Sequence, residues 1–526
     1  MANLNLFRSR RGPLATPANT RNDAGAPAYK LGDRAALARV AATGCLTPTF
    51  YANAGTQLDR VLELATKVDT DFLARTALYS RRRGFMKDMP ALLCAVLATR
   101  DLDRLAEVFP QVIDNGRMLR TFVQILRSGV TGRKSLGSAP KRLIRQWLEN
   151  ATDRDLVNAA IGNAPSLADI VKMVHPRPQS DAREAFYGWL LGRAYRADLL
   201  PEALRDFEAW KLSRQGEIPA VPFQMLTARN LGQREWSEIA ENASWQTTRM
   251  NLNTFARHGV FRDRAMVDRI AAKLADPARV RRARVFPYQL LAAYLNTGKD
   301  VPNKVRDALQ DALEAALSAV PKISGKVVVC PDVSGSMQWP VTGWQPGASS
   351  AVRCIDVAAL VAAAFLRANR QTEVLPFENE VVETRLNPRD SVMTNASRLA
   401  AIGGGGTNCS APLARLNRQR IAPDLVIFVS DNESWIDARA GRRHGTRMLN
   451  EWNAIRQRNP NAKLVCLDIV PNTTSQAPDR EDILNIGGFS DAVFKVIASF
   501  AAGSAGEDRW IREIDNEHLK PRAMSA

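Results

Sequence analysis

An apolar run starting at Val327 ends in the loop Asp332-Val-Ser334-Gly-Ser336, and no other pattern constrains the C-terminal fold as strongly. Alternate residues of an extended segment point the same way, so one carboxylate and two hydroxyls converge when such a loop curls. The group offers only oxygen, which suits a hard cation such as Mg²⁺ and suits zinc poorly. Two later segments continue the pattern. Gly403 to Gly406 precede Thr407 and Asn408, a run that permits close backbone approach and ends in a hydroxyl. Leu425 to Ser430 reads as a second apolar strand, followed directly by Asp431, and Lys463 to Val470 fits a third, parallel one. Between the first two, Ile355 to Arg370 is expected to be a helix, with Ala358, Ala359, Ala362 and Ala363 packing closely on a sheet. Asp332 and Asp431 then both follow buried strands, where open parallel sheets gather ligand sites. An Asp and two serines after a strand would also serve as a helix cap, so the Thr and second Asp carry the inference.

This order of Asp-x-Ser-x-Ser, Thr and Asp resembles the von Willebrand factor A domain with its metal-ion-dependent adhesion site. By that resemblance Asp332, Ser334 and Ser336 form the first ligand loop, Thr407 the second and Asp431 the third. Mg²⁺ is the expected ion. The fold class expected here is α/β and Rossmann-like.

At 526 residues the chain supplies more than one hydrophobic core. It has no run of eighteen uncharged apolar residues, and Met1 to Ala28 reads as an extended arm rather than a signal, so a cytoplasmic protein without a membrane span is expected. Six scattered cysteines form no Cys-x-x-Cys pair and suit reduced, buried thiols. The net charge of +18 is unevenly shared: 48 Lys and Arg meet 32 Asp and Glu up to residue 320, against 24 and 22 afterwards. A polyanion should therefore prefer the first part, and nucleic acid is the commonest such partner.

From about Asp33 to Val320 apolar residues recur at helical spacing, broken by short Pro, Gly or Asn punctuation. Many short helices with short connections suggest an all-α solenoid of stacked pairs. Basic residues cluster within it: Arg81, Arg82, Arg83 and Lys87; then Arg127, Arg133, Lys134, Lys141, Arg142 and Arg145; then Lys172, His175 and Arg177; and finally Arg257 with His258. Such side chains would contact phosphates and position a strand without reading much sequence. Each has a blander alternative as a helix-end or solvent-facing charge. Trp147, Trp189 and Trp236 lie in helical patterns and are expected mostly in the core.

Four segments carry a second resemblance. Tyr79 to Pro90, Ser128 to Gly137, Leu167 to Pro178 and Ile218 to Leu231 are similar to the TROVE domain of the Ro 60 kDa autoantigen family and its bacterial relatives. The resemblance covers about Tyr29 to Phe500 once the A domain is included. It implies a HEAT-like helical-repeat ring closed by the A domain, with boundaries at 1–28 (arm), 29–320 (helical repeats), 321–500 (A domain) and 501–526 (a tail packing on the ring). It further implies an RNA-binding scaffold, monomeric, that holds small noncoding Y RNA on a basic outer face. Single-stranded ends of misfolded or immature structured RNAs would enter a central hole, and an exoribonuclease is an expected partner in ribosomal RNA maturation and decay.

Catalysis is not expected. Only four histidines occur, none in a His-x-x-x-His pair, and no Gly-x-x-x-x-Gly-Lys-Ser/Thr loop is present. Asp332 and Asp431 lack the second metal or placed base that phosphodiester hydrolysis usually needs. The competing reading is a protein-adhesion scaffold in which a partner's carboxylate completes the cation shell. Two features depart from the family pattern: an insert from Gln338 to Ala348, and the basic group Arg439, Arg442, Arg443 and Arg447.

Overall fold

The computed structural model describes residues 16–43, 54–214, 216–227, 230–285, 287–317, 320, 322–341, 352–369, 371–435, 445–470, 473–487, 491–503 and 509–519. Cys45, Arg229, Arg439, Arg442, Arg443, His444 and the insert beyond Val341 lie outside them. The strands are β1 (Thr20–Arg21), β2 (Pro27–Lys30), β3 (Val327–Pro331), β4 (Glu373–Val374), β5 (Leu425–Ser430), β6 (Lys463–Asp468), β7 (Thr474–Ser475) and β8 (Ile483–Gly487). By compactness the chain falls into two units. One runs to Lys67 and includes Lys273–Thr297 and Arg306–Asn516, and the other holds Val68–Ala272, Gly298–Val305 and the chain from Glu517.

In the first unit five parallel strands lie in the order β4-β3-β5-β6-β8. β3 and β5 are the expected apolar runs and every residue in both is buried, as a sheet covered on both faces requires. On one face Val328, Cys330, Val426, Phe428, Leu464 and Cys466 pack with Leu413, Leu416 and Trp452. Phe377 and Phe428 meet edge to face at 5.5 Å between centroids. The helix Cys354–Ala368 packs against β3 and β5, close to its expected span, and is buried from Cys354 through Leu366. Its alanine-rich face allows that close approach. Cys94, Cys330, Cys354, Cys409 and Cys466 are free and buried, as expected.

The second half of the expected N-terminal arm is ordered here. β1 and β2 form an antiparallel pair, and β2 pairs in turn with β7, Tyr29 opposite Ser475. Two-residue strands carry almost no signal of their own, and this hairpin is fixed by a partner more than 400 positions away. The helix Asp33–Thr43 follows, and its buried Arg39 forms an ion pair with the buried Asp468 at the end of β6. Arg39 Nη1 also donates to Thr474 O at 3.5 Å.

The second unit is helical, and its helix starts are written in the sequence. Asp69, Asp101, Asn115, Ser180 and Ser244 each accept a backbone N–H of the first turn. Thr152 with Asp155 and Ser166 with Asp169 form reciprocal capping boxes. The helix Thr70–Arg82 packs on Asp88–Arg100 and Leu102–Val112. In the same way Gly116–Arg127 packs on Asp88–Arg100, Asp153–Ala159 and Leu167–Val174. These helices thus meet neighbours one to three places along the chain, the solenoid pattern expected. Gly116 permits one of these approaches, since a Cβ there would lie 2.3 Å from Ala159 Cβ. Trp236 is buried, while Trp147 and Trp189 are half-buried.

Removing one partner of a buried ion pair strands the other's charge. Arg39→Ala should therefore cost roughly 3–5 kcal/mol of stability, measured by urea denaturation of the whole protein.

Candidate functional site

β3 and β5 are direct neighbours in parallel register, with Pro331 opposite Val429, so both chains leave the sheet at the same edge. Asp332 N–H donates to Val429 O at 3.0 Å, which ties the first loop to the neighbouring strand. The five residues expected to converge do so. Ser334 N–H donates to Asp332 Oδ1 at 2.9 Å, the Ser334 and Ser336 hydroxyls lie 3.3 Å apart, and Thr407 Oγ1 donates to Ser334 Oγ at 2.9 Å. Ser336 also hydrogen-bonds the Asp431 carboxylate. All five side chains are buried.

Two carboxylates enclosed together disfavour being charged together. Burial and, second to it, the charge of Asp431 push Asp332 up to about 7 from an ordinary 3.8. Burial raises Asp431 as well, against the pull of its hydrogen bonds from Ser336 and the Glu433 backbone. An enclosed, hydroxyl-lined pair of this kind fits a hard divalent cation, whose charge would favour both ionised forms. Asp332, Ser334, Ser336, Thr407 and Asp431 are the residues that would hold it. Among the described residues no group of three or more His, Cys, Asp or Glu side chains forms an alternative metal cluster.

Supporting residues escaped the sequence reading. Ser430 donates to Asp332 Oδ2 at 2.6 Å and accepts from Asn432 N at 2.9 Å. Its only signal was a hydroxyl directly before the third-loop Asp. The glycines before Thr407 are needed for space as well as for bending: a Cβ on Gly406 would fall 2.0 Å from Trp435 Nε1. The hairpin turn between β1 and β2 reaches the same loop. Asn22 Nδ2 donates to Ser434 O at 2.8 Å, and Ala24 N–H donates to Glu433 Oε2 at 3.2 Å. Glu433 is itself buried, and its carboxyl is pushed well up by that burial and by Asp431.

In the helical unit the basic residues divide into two kinds. Arg81 is bound to Asp114, with Nη2 2.7 Å from Oδ1, and also donates to Met86 O. Arg133 donates to Ser135 O at 3.0 Å and Ala98 O at 2.9 Å, so its guanidinium stitches a loop to a helix. Arg82 and Arg83 pair with Glu517, at 3.3 and 3.4 Å. Arg145 donates to Val174 O at 2.6 Å, which satisfies a carbonyl at a helix end. His258 stacks on Trp236 at 4.3 Å beside the exposed Arg257.

The other kind faces solvent. Lys172, His175 and Arg177 are exposed at the end of the helix Leu167–Val174. His175 closes this helix in a left-handed conformation, φ +49°, with its N–H on Val171 O. Arg127 comes from the preceding packed helix and reaches Met173 Sδ at 3.2 Å. The fold therefore brings Arg127 to the Lys172–Arg177 group. Lys134 and Arg142 are exposed, and Lys141 is half-buried. Lys87 differs from these: part of the residue faces solvent, but its ammonium is crowded by the protein, and that desolvation, followed by the charges of Arg117 and Arg81, pulls its pKa down.

Comparison with known proteins agrees with both units. Residues 326–501 match the family described as the Ro60 vWA domain. The match places a vWA domain in residues 326–501, and over most of its length the chain is similar to Ro60 proteins. It is 26% identical over 531 aligned positions to the RNA-binding protein RO60 of Deinococcus radiodurans, covering 92% of this chain and 95% of that one. The RNA-binding protein RO60 of Caenorhabditis elegans is 25% identical over 46% of this chain and 38% of its own length. In fold, the chain is similar to the crystal structure of the Deinococcus radiodurans RO (RSR) protein, with a TM-score of 0.61 and 23% identity. That match covers 90% of this chain and 100% of the other.

The carboxylate pair predicts a pH signature in a chelator-containing buffer. A carboxyl raised to about 7 when folded, against 3.8 unfolded, stabilises the fold fully below pH 4 and loses that contribution as pH climbs through 7. Stability of the cation-free protein should fall by a few kcal/mol between pH 5 and 8 from this group. Asp332→Asn should flatten that difference in denaturation curves taken at both pH values.

Proposed function

We propose that the chain is an RNA-binding scaffold without catalytic activity, in which the helical unit engages RNA and the vWA unit holds a divalent cation. The observation that carries the reading is the exposed group Arg127, Lys172, His175 and Arg177, gathered around one helix end with no ion pair among the described residues. Likeness to relatives named as RNA-binding proteins supports the same conclusion. In this reading the cationic group holds the backbone of a small noncoding Y RNA, and the helical unit also takes single-stranded ends of misfolded or precursor RNAs. An exoribonuclease that trims or degrades the presented RNA is the corresponding protein partner, in the cytoplasm. Among the described residues no helix is long and apolar enough to cross a membrane.

Phosphate contacts release counterions, so affinity should fall steeply with salt. Lys172→Ala/His175→Ala/Arg177→Ala should weaken binding of a tailed, structured RNA about 10-fold at ~0.1 M salt and reduce the log–log salt slope by about 2. Filter binding across a salt series measures both, and an unchanged slope would exclude this face. Arg133→Ala should instead lower stability by about 1 kcal/mol, mainly through the lost bond to the part-buried Ala98 carbonyl.

In the vWA unit Mg²⁺ is the proposed ion. Calorimetry should show Mg²⁺ binding to the wild type and a loss of at least about 10-fold in affinity for Asp332→Ala, through removal of one of its two carboxylates. RNA affinity should be unaltered.

A further inference from the structure

The helices Leu102–Val112 and Ser138–Asn150 border a cleft of about 360 Å³, within the range of small-molecule sites. Its walls are half polar and include Trp147, Gln146 and Asn150 from the second helix. Both amides are exposed and make no hydrogen bond within the described protein, and Trp147 presents part of a half-buried indole. Pro110 lies inside the first helix and also lines the cleft. Proline has no N–H, so the carbonyl of Ala106, four residues earlier and on the same wall, loses its usual intrahelical donor.

We propose that this cleft binds one unstacked nucleobase carrying an exocyclic amino group. The inference rests on the RNA-binding reading above and extends it to a site outside the basic face. Asp155 lines the cleft, Asp114 there is paired with Arg81, and no Lys or Arg is among the described lining residues, so a neutral base suits it better than a phosphate or an acidic side chain. The Ala106 carbonyl is a fixed acceptor. It favours cytosine, whose N4 amino group donates, over uracil, whose O4 accepts. Gln146 and Asn150 are adaptable and match the rest of a base edge, and Trp147 offers a surface for contact with the ring. Arg142 is exposed one turn before Gln146 on the same helix face, where it can take the phosphate of that nucleotide.

The test uses three RNAs with one structured body and a six-nucleotide 3′ tail of cytidine, uridine or abasic residues. For the wild type, the cytidine tail should bind about 10-fold more tightly than the abasic tail and several-fold more tightly than the uridine tail. Gln146→Ala/Asn150→Ala should cut the advantage of cytidine over abasic to about 2-fold, with an unchanged salt slope. Pro110→Ala restores the missing N–H and occupies the Ala106 carbonyl, so cytidine and uridine tails should bind alike while the helix is at least as stable. Equal binding of cytidine and abasic tails by the wild type, or a cytidine preference that survives both variants, overturns the proposal and leaves the RNA-binding reading standing. Failure of all three RNAs to bind the wild type at low salt overturns both.

Discussion

Two carboxylates held out of water at the ends of neighbouring parallel strands are the constraint around which the vWA unit is organised. Register delivers them: with Pro331 opposite Val429, the chains after β3 and β5 have to emerge side by side. Everything nearby then manages the resulting charge. Ser334, Ser336 and Ser430 hydrogen-bond the carboxylates, the Thr407 hydroxyl bonds Ser334, and the glycine run lets the Thr407 loop come close. A fold that needed only stability would place apolar side chains there, since buried like charges oppose folding. The cost is understandable where a cation is to be held.

Charge in the helical unit is handled differently. An excess of arginine does not make a uniform binding surface, because many guanidinium groups serve as internal braces. Arg81, Arg133 and Arg145 each close a structural gap with a carboxylate or a carbonyl. Other cations face solvent, among them Lys172, His175 and Arg177 at the end of Leu167–Val174, where Arg127 reaches Met173. Braced cations still contribute to the field around the protein, but not to direct contact.

Much of this was legible in the sequence. β3, β5 and β6 follow from apolar runs, and the convergence of Asp332, Ser334, Ser336, Thr407 and Asp431 from a spacing that only a strand end makes meaningful. Helix starts in the second unit follow from Asp, Asn, Ser and Thr caps, whose signal is local. The misses were set by distance along the chain. Arg133 looks like a free loop cation until Ala98 is seen beneath it, and the hairpin at Thr20–Lys30 has no reason to form until β7 supplies an edge. Ser430 and Glu433 belong to the same class, since their roles depend on Asp332 and on the N-terminal turn.

The clasp between Arg39 and Asp468 has a consequence for biosynthesis. Translation delivers β2 and the helix after it first, yet the edge and counter-charge that complete them emerge some 400 codons later. A ribosome adding about 5–20 residues per second leaves those early segments waiting for roughly 20–90 seconds. The helices between Thr70 and Val174 meanwhile find packing partners among neighbours already made, whereas β2 and the helix Asp33–Thr43 complete their pairing only with segments synthesised later.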